Sequence, residues 1–308
     1  MLSRLAESFF WIGRYTERAE ATTRLLSEHH QLLVEDTRVA PEDGCRVLLD
    51  ALSLSTEGSL AATPHGLVRA VLGSPSDPGT VAGATTAARE NARAIRDAVS
   101  GDVYEALNSV HLQLTAATAS DIEPVSPGVL LHGVLERLAV VAGVLDWTSP
   151  RDESWVFLRL GRALERIDMT ARLLKVRHDL LWPESGPATA LRAAGGLHAF
   201  LRGRHPLSGD RVRAFLVLDP IFPRSMLGCA IGAENAAREL EAMGSVSPHG
   251  GILRTVGLLR SELEFVAAEP DPDIVDRLAE YGLISAIEAG AEVRNSFFQQ
   301  LGTVVWSH

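Results

Sequence analysis

The chain has 308 residues, 46% of them hydrophobic, 22% charged and only 6% aromatic, a composition that buries a sizeable core and excludes a disordered chain. That length exceeds the roughly 100–200 residues of one ordinary domain, which leaves one large domain or two joined units. A net charge of −10 argues against a nucleic-acid binder, whose affinity for phosphate is built from an excess of Lys and Arg.

The 29 basic residues include a single lysine, Lys175, and therefore 28 arginines. Schiff-base enzymes and Walker-type phosphate loops need a lysine in its own setting, and Lys175 sits in an apolar helical run rather than after a Gly-rich turn. Cys45 and Cys229 stand far apart with no C-x-x-C or Cys/His cluster, which points to buried free thiols rather than a disulfide or zinc. The N-terminal run is interrupted by charges, and no stretch reaches the ~18 apolar residues of a membrane span. The expectation is a cytoplasmic protein without cofactor, membrane or nucleic-acid contacts.

In chain order, Leu2, Leu5, Phe9, Ile12, Ala19, Leu26 and Leu33 recur at helical steps and predict a long first helix ending near Val34. Further helices are predicted at about 42–53, 65–72, 79–99, 101–118, 127–146, 150–181, 188–201, 208–217, 223–243, 249–267 and 272–300, with no sustained strand alternation. Ser149-Pro150, Ser247-Pro248 and Asp271-Pro272 each place a capping residue before a proline at the first helical position. Breaks fall at Gly73 to Pro78, Ser120 to Gly128 and Trp182 to Gly196. The predicted class is all-α.

An internal repeat organises the chain. Phe9 to Leu26 (FFWIGRYTERAEATTRLL) lies over Phe157 to Leu174 (FLRLGRALERIDMTARLL) without a gap. Val68 to Leu72 matches Val212 to Leu216, Asp77-Pro78 matches Asp219-Pro220, and Glu90-Asn91-Ala92 matches Glu234-Asn235-Ala236. The order is kept with small changes of offset, so the expected architecture is an antiparallel helical bundle of two duplicated units, about 1–148 and 149–308, in a single domain over 1–308.

The repeated helix carries the concentrated polar chemistry. Gly13, Glu17, Glu20 and Arg24 share one stripe, and Gly161, Glu165, Asp168 and Arg172 repeat it. Two carboxylates three residues apart repel unless an arginine, a metal ion, a substrate cation or a shared proton relieves them. Arg14, Arg18 and Arg24 flank the first pair, and Arg162, Arg166 and Arg172 flank the second. The arrangement fits either an Arg–carboxylate network between the units or a polar pocket for substrate. No Glu-x-x-His occurs, and His29-His30 lacks ligand spacing with other histidines, so no metal set is expected. A second repeated group, Arg89-Glu90-Asn91 and Glu234-Asn235, is either structural or part of the same pocket. No nucleophile elbow or phosphate loop is present.

The opening MLSRLAESFFWIGRYTERAEATTRLL, the segment Arg151 to Leu174, the ARENARAIR run and the LDPIFPRS turn together resemble the bacterial alpha-E domain family over nearly the whole chain. The resemblance implies an all-helical fold, with the family's glutamates at Glu17, Glu20, Glu90 and Glu165. It also implies association with ATP-grasp proteins resembling carboxylate–amine ligases and with transglutaminase-like peptidases, in peptide modification or amide formation. Two roles follow as expectations. One is a partner subunit of such a ligase whose Glu/Arg pocket holds a peptide, an amino acid or the partner. The other is an enzyme using its paired carboxylates as general acid and base on an amide.

Overall fold

The computed structural model describes residues 3–35, 41–54, 64–119, 127–176, 182, 185–244 and 251–298. Among them are thirteen helices and no strand: α1 (Ser3–Glu35), α2 (Pro41–Leu52), α3 (Pro64–Leu72), α4 (Val81–Ala94), α5 (Gly101–Ala119), α6 (Pro127–Thr148), α7 (Glu153–Lys175), α8 (Gly186–Ala193), α9 (Leu197–Arg202), α10 (Gly209–Leu218), α11 (Met226–Ala242), α12 (Gly251–Ala268) and α13 (Pro272–Phe297).

The long helices α1 and α7 form the spine and pack on each other along their length. On one side α1 packs against α4 and α6, with α5 closing the group; on the other α7 packs against α11 and α13, with α12 closing it. Shorter helices cross over, α2 onto α7 and α8 onto α1. The apolar stripe foreseen in α1 is buried, with Phe9, Ile12, Ala19 and Leu26 in the core. Aromatic contacts from the end of α13 seal the spine, Phe297 against Phe157 and Phe298 against Phe10.

Local signals explain where several helices begin. Asp271 caps α13 by accepting from the Asp273 and Ile274 amides, with Pro272 at the first position, as its Asp-Pro pair predicts. At α7 the cap is not Ser149 but Asp152, whose carboxylate accepts from the Ser154 and Trp155 amides. A charged acceptor three residues downstream outcompetes the Ser-Pro signal there. Ser247-Pro248 lies outside the described residues. The helix predicted over 79–99 stops at Ala94, and the one predicted over 188–201 is two helices, because Gly195 takes a positive φ of 69° between them. Both cysteines are buried, and neither forms a disulfide.

Helix α6 is long and apolar enough to cross a membrane, by length and composition. Glu136 and Arg137 lie in its middle and interrupt its apolar run.

Candidate functional site

The site begins with two glycines. A Cβ on Gly13 would lie 2.3 Å from the Leu158 carbonyl oxygen, and one on Gly161 would lie 2.2 Å from the Phe10 carbonyl oxygen. Each helix therefore presses its backbone into the other where any side chain would collide. Glycine costs up to ~1 kcal/mol in a helix interior relative to alanine, and here it permits the closest approach in the spine.

That closeness sets the wiring of the carboxylates, which differs from intrahelical pairing. Glu165, fully buried, accepts from Arg14 Nε at 2.6 Å and from Arg18 Nε at 2.5 Å, both on the opposite helix. Glu17 accepts from Arg166 Nη2 at 2.6 Å, with Arg162 Nε at 3.9 Å and Arg224 Nη2 at 3.7 Å. Arg14 and Arg18 thus serve the other helix's carboxylate, not Glu17 three residues along. The outer carboxylates are served locally as well: Arg24 pairs with Glu20, and Arg172 Nε lies 2.8 Å from Asp168. Glu20 gains Arg224, and Asp168 has Arg14 Nη2 at 3.7 Å.

Arg18 and Arg166 each make a second contact. Arg18 Nη1 donates to the Pro78 carbonyl at 3.4 Å and Arg166 Nη1 to the Pro223 carbonyl at 3.2 Å. These carbonyls lie in the turns that start α4 and α11. Thr80 caps α4 by accepting from the Gly83 amide, and Ser225 caps α11 by accepting from the Gly228 amide. Each arginine therefore ties a carboxylate of the spine to the entrance of a neighbouring helix. Arg172 also reaches the end of α2, donating to Ser53 Oγ at 2.8 Å.

Electrostatics follow burial and partner. Burial opposes ionisation of Glu17, but Arg166 and Arg224 overcome it and hold its carboxyl below the usual range. Burial likewise opposes ionisation of Glu165, and Arg14 and Arg18 overcome it. At Asp168 burial and the neighbouring Glu165 charge prevail over Arg172 and Arg14, and the carboxyl is pushed up. Near the far end of α1, burial and His30 lower His29 to about 4, and its Nδ1 accepts from Trp182 Nε1 at 3.3 Å.

The second predicted group lies elsewhere. Arg89 Nε donates to Asn108 of α5 at 2.7 Å, Glu90 pairs with Arg89 and Arg93, and the Asn91 amide donates to the Ala87 carbonyl. Glu234 pairs with Arg260 of α12 and Arg238, while Asn235 is exposed. These residues join α4 to α5 and α11 to α12 and do not converge on the spine. Matching the caps Thr80 and Ser225 sets Gly83 against Gly228, buried Ala88 against Ala233, and hence Arg89, not Glu90, against Glu234. Arg224 was not legible as a partner, because it reaches Glu20 from a turn 204 residues away in sequence and has Gly79 at the matching place beside Thr80.

The opening beside the stripe, lined by Glu17, Arg166, Thr170 and Arg224, has a volume of about 30 Å³. A single water needs roughly 10–15 Å³ of such space, so the opening has room for two or three waters. Larger clefts lie away from it: about 430 Å³ between the start of α1 and the α6–α7 turn, and about 660 Å³ between α9, α10 and the α12–α13 turn. Among the described residues no group of three or more His, Cys, Asp or Glu is placed to hold a metal ion.

Two curated relatives, uncharacterized proteins of Mycobacterium bovis and Mycobacterium tuberculosis, are each 24% identical over 252 residues, covering 73% of this chain and 28% of the relative. The chain thus spans little more than a quarter of the length of the curated relatives it matches. No solved structure matches. Alpha-E, described as a predicted alpha-helical domain with a conserved ER motif, matches residues 1–298. Glu17-Arg18 and Glu165-Arg166, the crossed pairs of the spine, are Glu-Arg dipeptides. The chain belongs to the Alpha-E family.

Proposed function

We propose that the chain is a non-catalytic helical partner of an ATP-grasp carboxylate–amine ligase-like protein in a cytoplasmic peptide-modification system. In this proposal two duplicated units, about 1–148 and 149–308, are locked into one domain by the Glu/Arg stripe. The stripe sets the pose of the surfaces offered to the ligase, and the peptide or amino-acid substrate is held chiefly on the ligase side. A transglutaminase-like peptidase is the further partner that the family resemblance suggests.

The observation that carries the proposal is the state of the stripe. Glu17, Glu20, Glu165 and Asp168 are all already paired with arginines, and the adjoining opening has room for only a few waters. The enclosed space there is small for a peptide or amino-acid side chain, and each carboxylate of the stripe is engaged by at least one guanidinium. Parallel contacts favour the duplication: Arg18 with Glu165 and Pro78, Arg166 with Glu17 and Pro223. The greater length of the relatives suits a module that works beside other domains.

A second reading, an enzyme using the paired carboxylates as general acid and base, is favoured by one observation, the raised Asp168 carboxyl. Asp168 is only 3% exposed and does not line the opening beside the stripe.

The test is co-purification with the neighbouring ATP-grasp protein, followed by ligase assays with the wild-type chain, with Glu17→Gln plus Glu165→Gln, and with Asp168→Asn. Ligase activity is expected to need the chain and to fall in the variants only in step with their folded fraction. A variant that stays folded yet abolishes activity would place substrate chemistry in the stripe. Ligase activity indifferent to the chain would remove the partner role.

A further inference from the structure

The cleft of about 660 Å³ between α9, α10 and the α12–α13 turn lies away from the spine and has the size of a small-molecule site, ~300–1,000 Å³. Its floor follows one stripe of α10. Arg211, Ala214, Phe215 and Leu218 recur at steps of three and four, and Asp219 ends the row just past the helix. The middle of the row is apolar and braced: Phe215 stands edge-on to Phe200 at 5.4 Å and stacks on Phe222 at 5.0 Å. Both ends are charged. Asp210 and Arg211 are exposed and form no ion pair among the described residues, whereas Arg213, on the same helix, is held by Asp276 at 2.7 Å. At the other end Asp219 Oδ1 accepts from the Ile221 and Phe222 amides at 2.8 and 2.7 Å, and its Oδ2 has no protein partner among the described residues. The turn into α10 adds an independent observation. Arg204 holds a φ of 54°, a left-handed conformation uncommon outside glycine, and a Cβ on Gly203 would lie 2.8 Å from His205 Cδ2. A backbone so constrained sets His205 against Phe200, ring centres 6.2 Å apart, as the wall of the cleft beside α9.

We propose that this cleft binds a free basic α-amino acid, lysine or arginine. The α-carboxylate pairs with Arg211 and the α-ammonium with Asp210, the methylene stem lies over Phe215 and Leu218, and the cationic tail meets Asp219. Charge selects this class. The cleft offers two carboxylates and one guanidinium, and a basic amino acid brings two cations and one carboxylate, so each charge finds an opposite. A purely apolar ligand leaves all three unmet, and an anion meets two carboxylates. The eight residues from Arg211 to Asp219 rise about 12 Å along α10, a gap that an extended basic amino acid bridges once the two protein side chains add their own length. A long aliphatic stem covers apolar surface while its charged end stays in water, and aromatic ring faces attract the cation. The site is separate from the stripe and does not rest on the ligase reading, because binding is a property of the chain by itself.

The test is calorimetric titration of the full chain with L-lysine and L-arginine. Saturable one-to-one binding of at least one of them is expected. L-Norleucine, which lacks the tail ammonium, and cadaverine, which lacks the carboxylate, are each expected to bind at least about tenfold more weakly than lysine. Arg211→Ala and Asp210→Asn, both at exposed positions, are expected to keep the wild-type melting temperature and to lose about tenfold in affinity. Asp219→Asn keeps an acceptor for the two amides and is expected to reduce lysine to the affinity of norleucine. No binding of either basic amino acid at ~10 mM would overturn the proposal. So would norleucine or cadaverine binding as tightly as lysine, or a folded Arg211→Ala chain that binds lysine unchanged.

Discussion

Gly13 and Gly161 are each other's reason for being glycine: the carbonyls nearest to their missing Cβ atoms belong to Leu158 and Phe10, one turn before the opposite glycine. Everything polar at the spine depends on that spacing, since Arg14 and Arg18 reach Glu165 only because α1 lies so close to α7.

Substituting alanine at Gly13 or Gly161 is therefore expected to destabilise the fold. The added methyl meets backbone, which cannot swing aside, and overpacking of this kind costs ~1–3 kcal/mol despite the better helix propensity of alanine. Gly143→Ala, facing open space, is expected to gain up to ~1 kcal/mol in the same denaturant titration. Equal effects at the three positions would contradict the close-contact account.

Glu165→Gln leaves Arg14 and Arg18 without their carboxylate inside the spine. Breaking a buried pair from one side costs ~3–5 kcal/mol, against ~0–1 kcal/mol for an exposed pair such as Arg213–Asp276. The pH dependence has a defined sign. Glu17 and Glu165 are held below their ordinary 4.5, so their contribution is present above that pH and is lost as pH falls through the lower folded values. Asp168 is raised above 3.8, so its contribution runs oppositely, present below 3.8 and lost as pH rises through its folded value. Acid titration of unfolding free energy should show a flatter low-pH limb in Glu165→Gln, and a steeper limb there would be inconsistent with this wiring.

His29 couples stability to mild acid. Its folded value is about 4 against 6.5 unfolded, so the unfolded chain binds more protons between those limits and stability falls as pH drops through that window. His29→Gln, which keeps an acceptor for Trp182 Nε1, is expected to remove this slope while leaving stability at pH 8 nearly unchanged. Tryptophan fluorescence during urea unfolding at several pH values measures it.

Cys229 is fully enclosed, donates its thiol to the Pro223 carbonyl, and is pushed up to about 12, chiefly by burial. Ellman's reagent is expected to find no reactive thiol in the native protein and two after denaturation. Rapid labelling of the native chain would mean that the α11 entrance opens readily.

Helix existence and type were legible because apolar residues at three- and four-residue steps, with prolines and glycines between them, specify helices locally. The spine residues were legible too, through the gapless match of Phe9–Leu26 to Phe157–Leu174. Other features depended on competition between neighbouring signals. The stop of α4 at Ala94, the cap at Asp152 and the break at Gly195 are settled by which acceptor or turn wins locally, and periodicity does not report that. Glu90 and Glu234 match as letters, whereas counting from the caps Thr80 and Ser225 sets Arg89 against Glu234.

By itself the sequence determined the helical class, the stripe of carboxylates and arginines, and the two glycines within it, because these rest on spacing along one helix. Only the tertiary structure decided which arginine serves which carboxylate, that Arg224 joins them, and that the space beside them is small. Charge pairing and cavity volume are properties of two helices brought together, and spacing along one of them does not contain the distance between them.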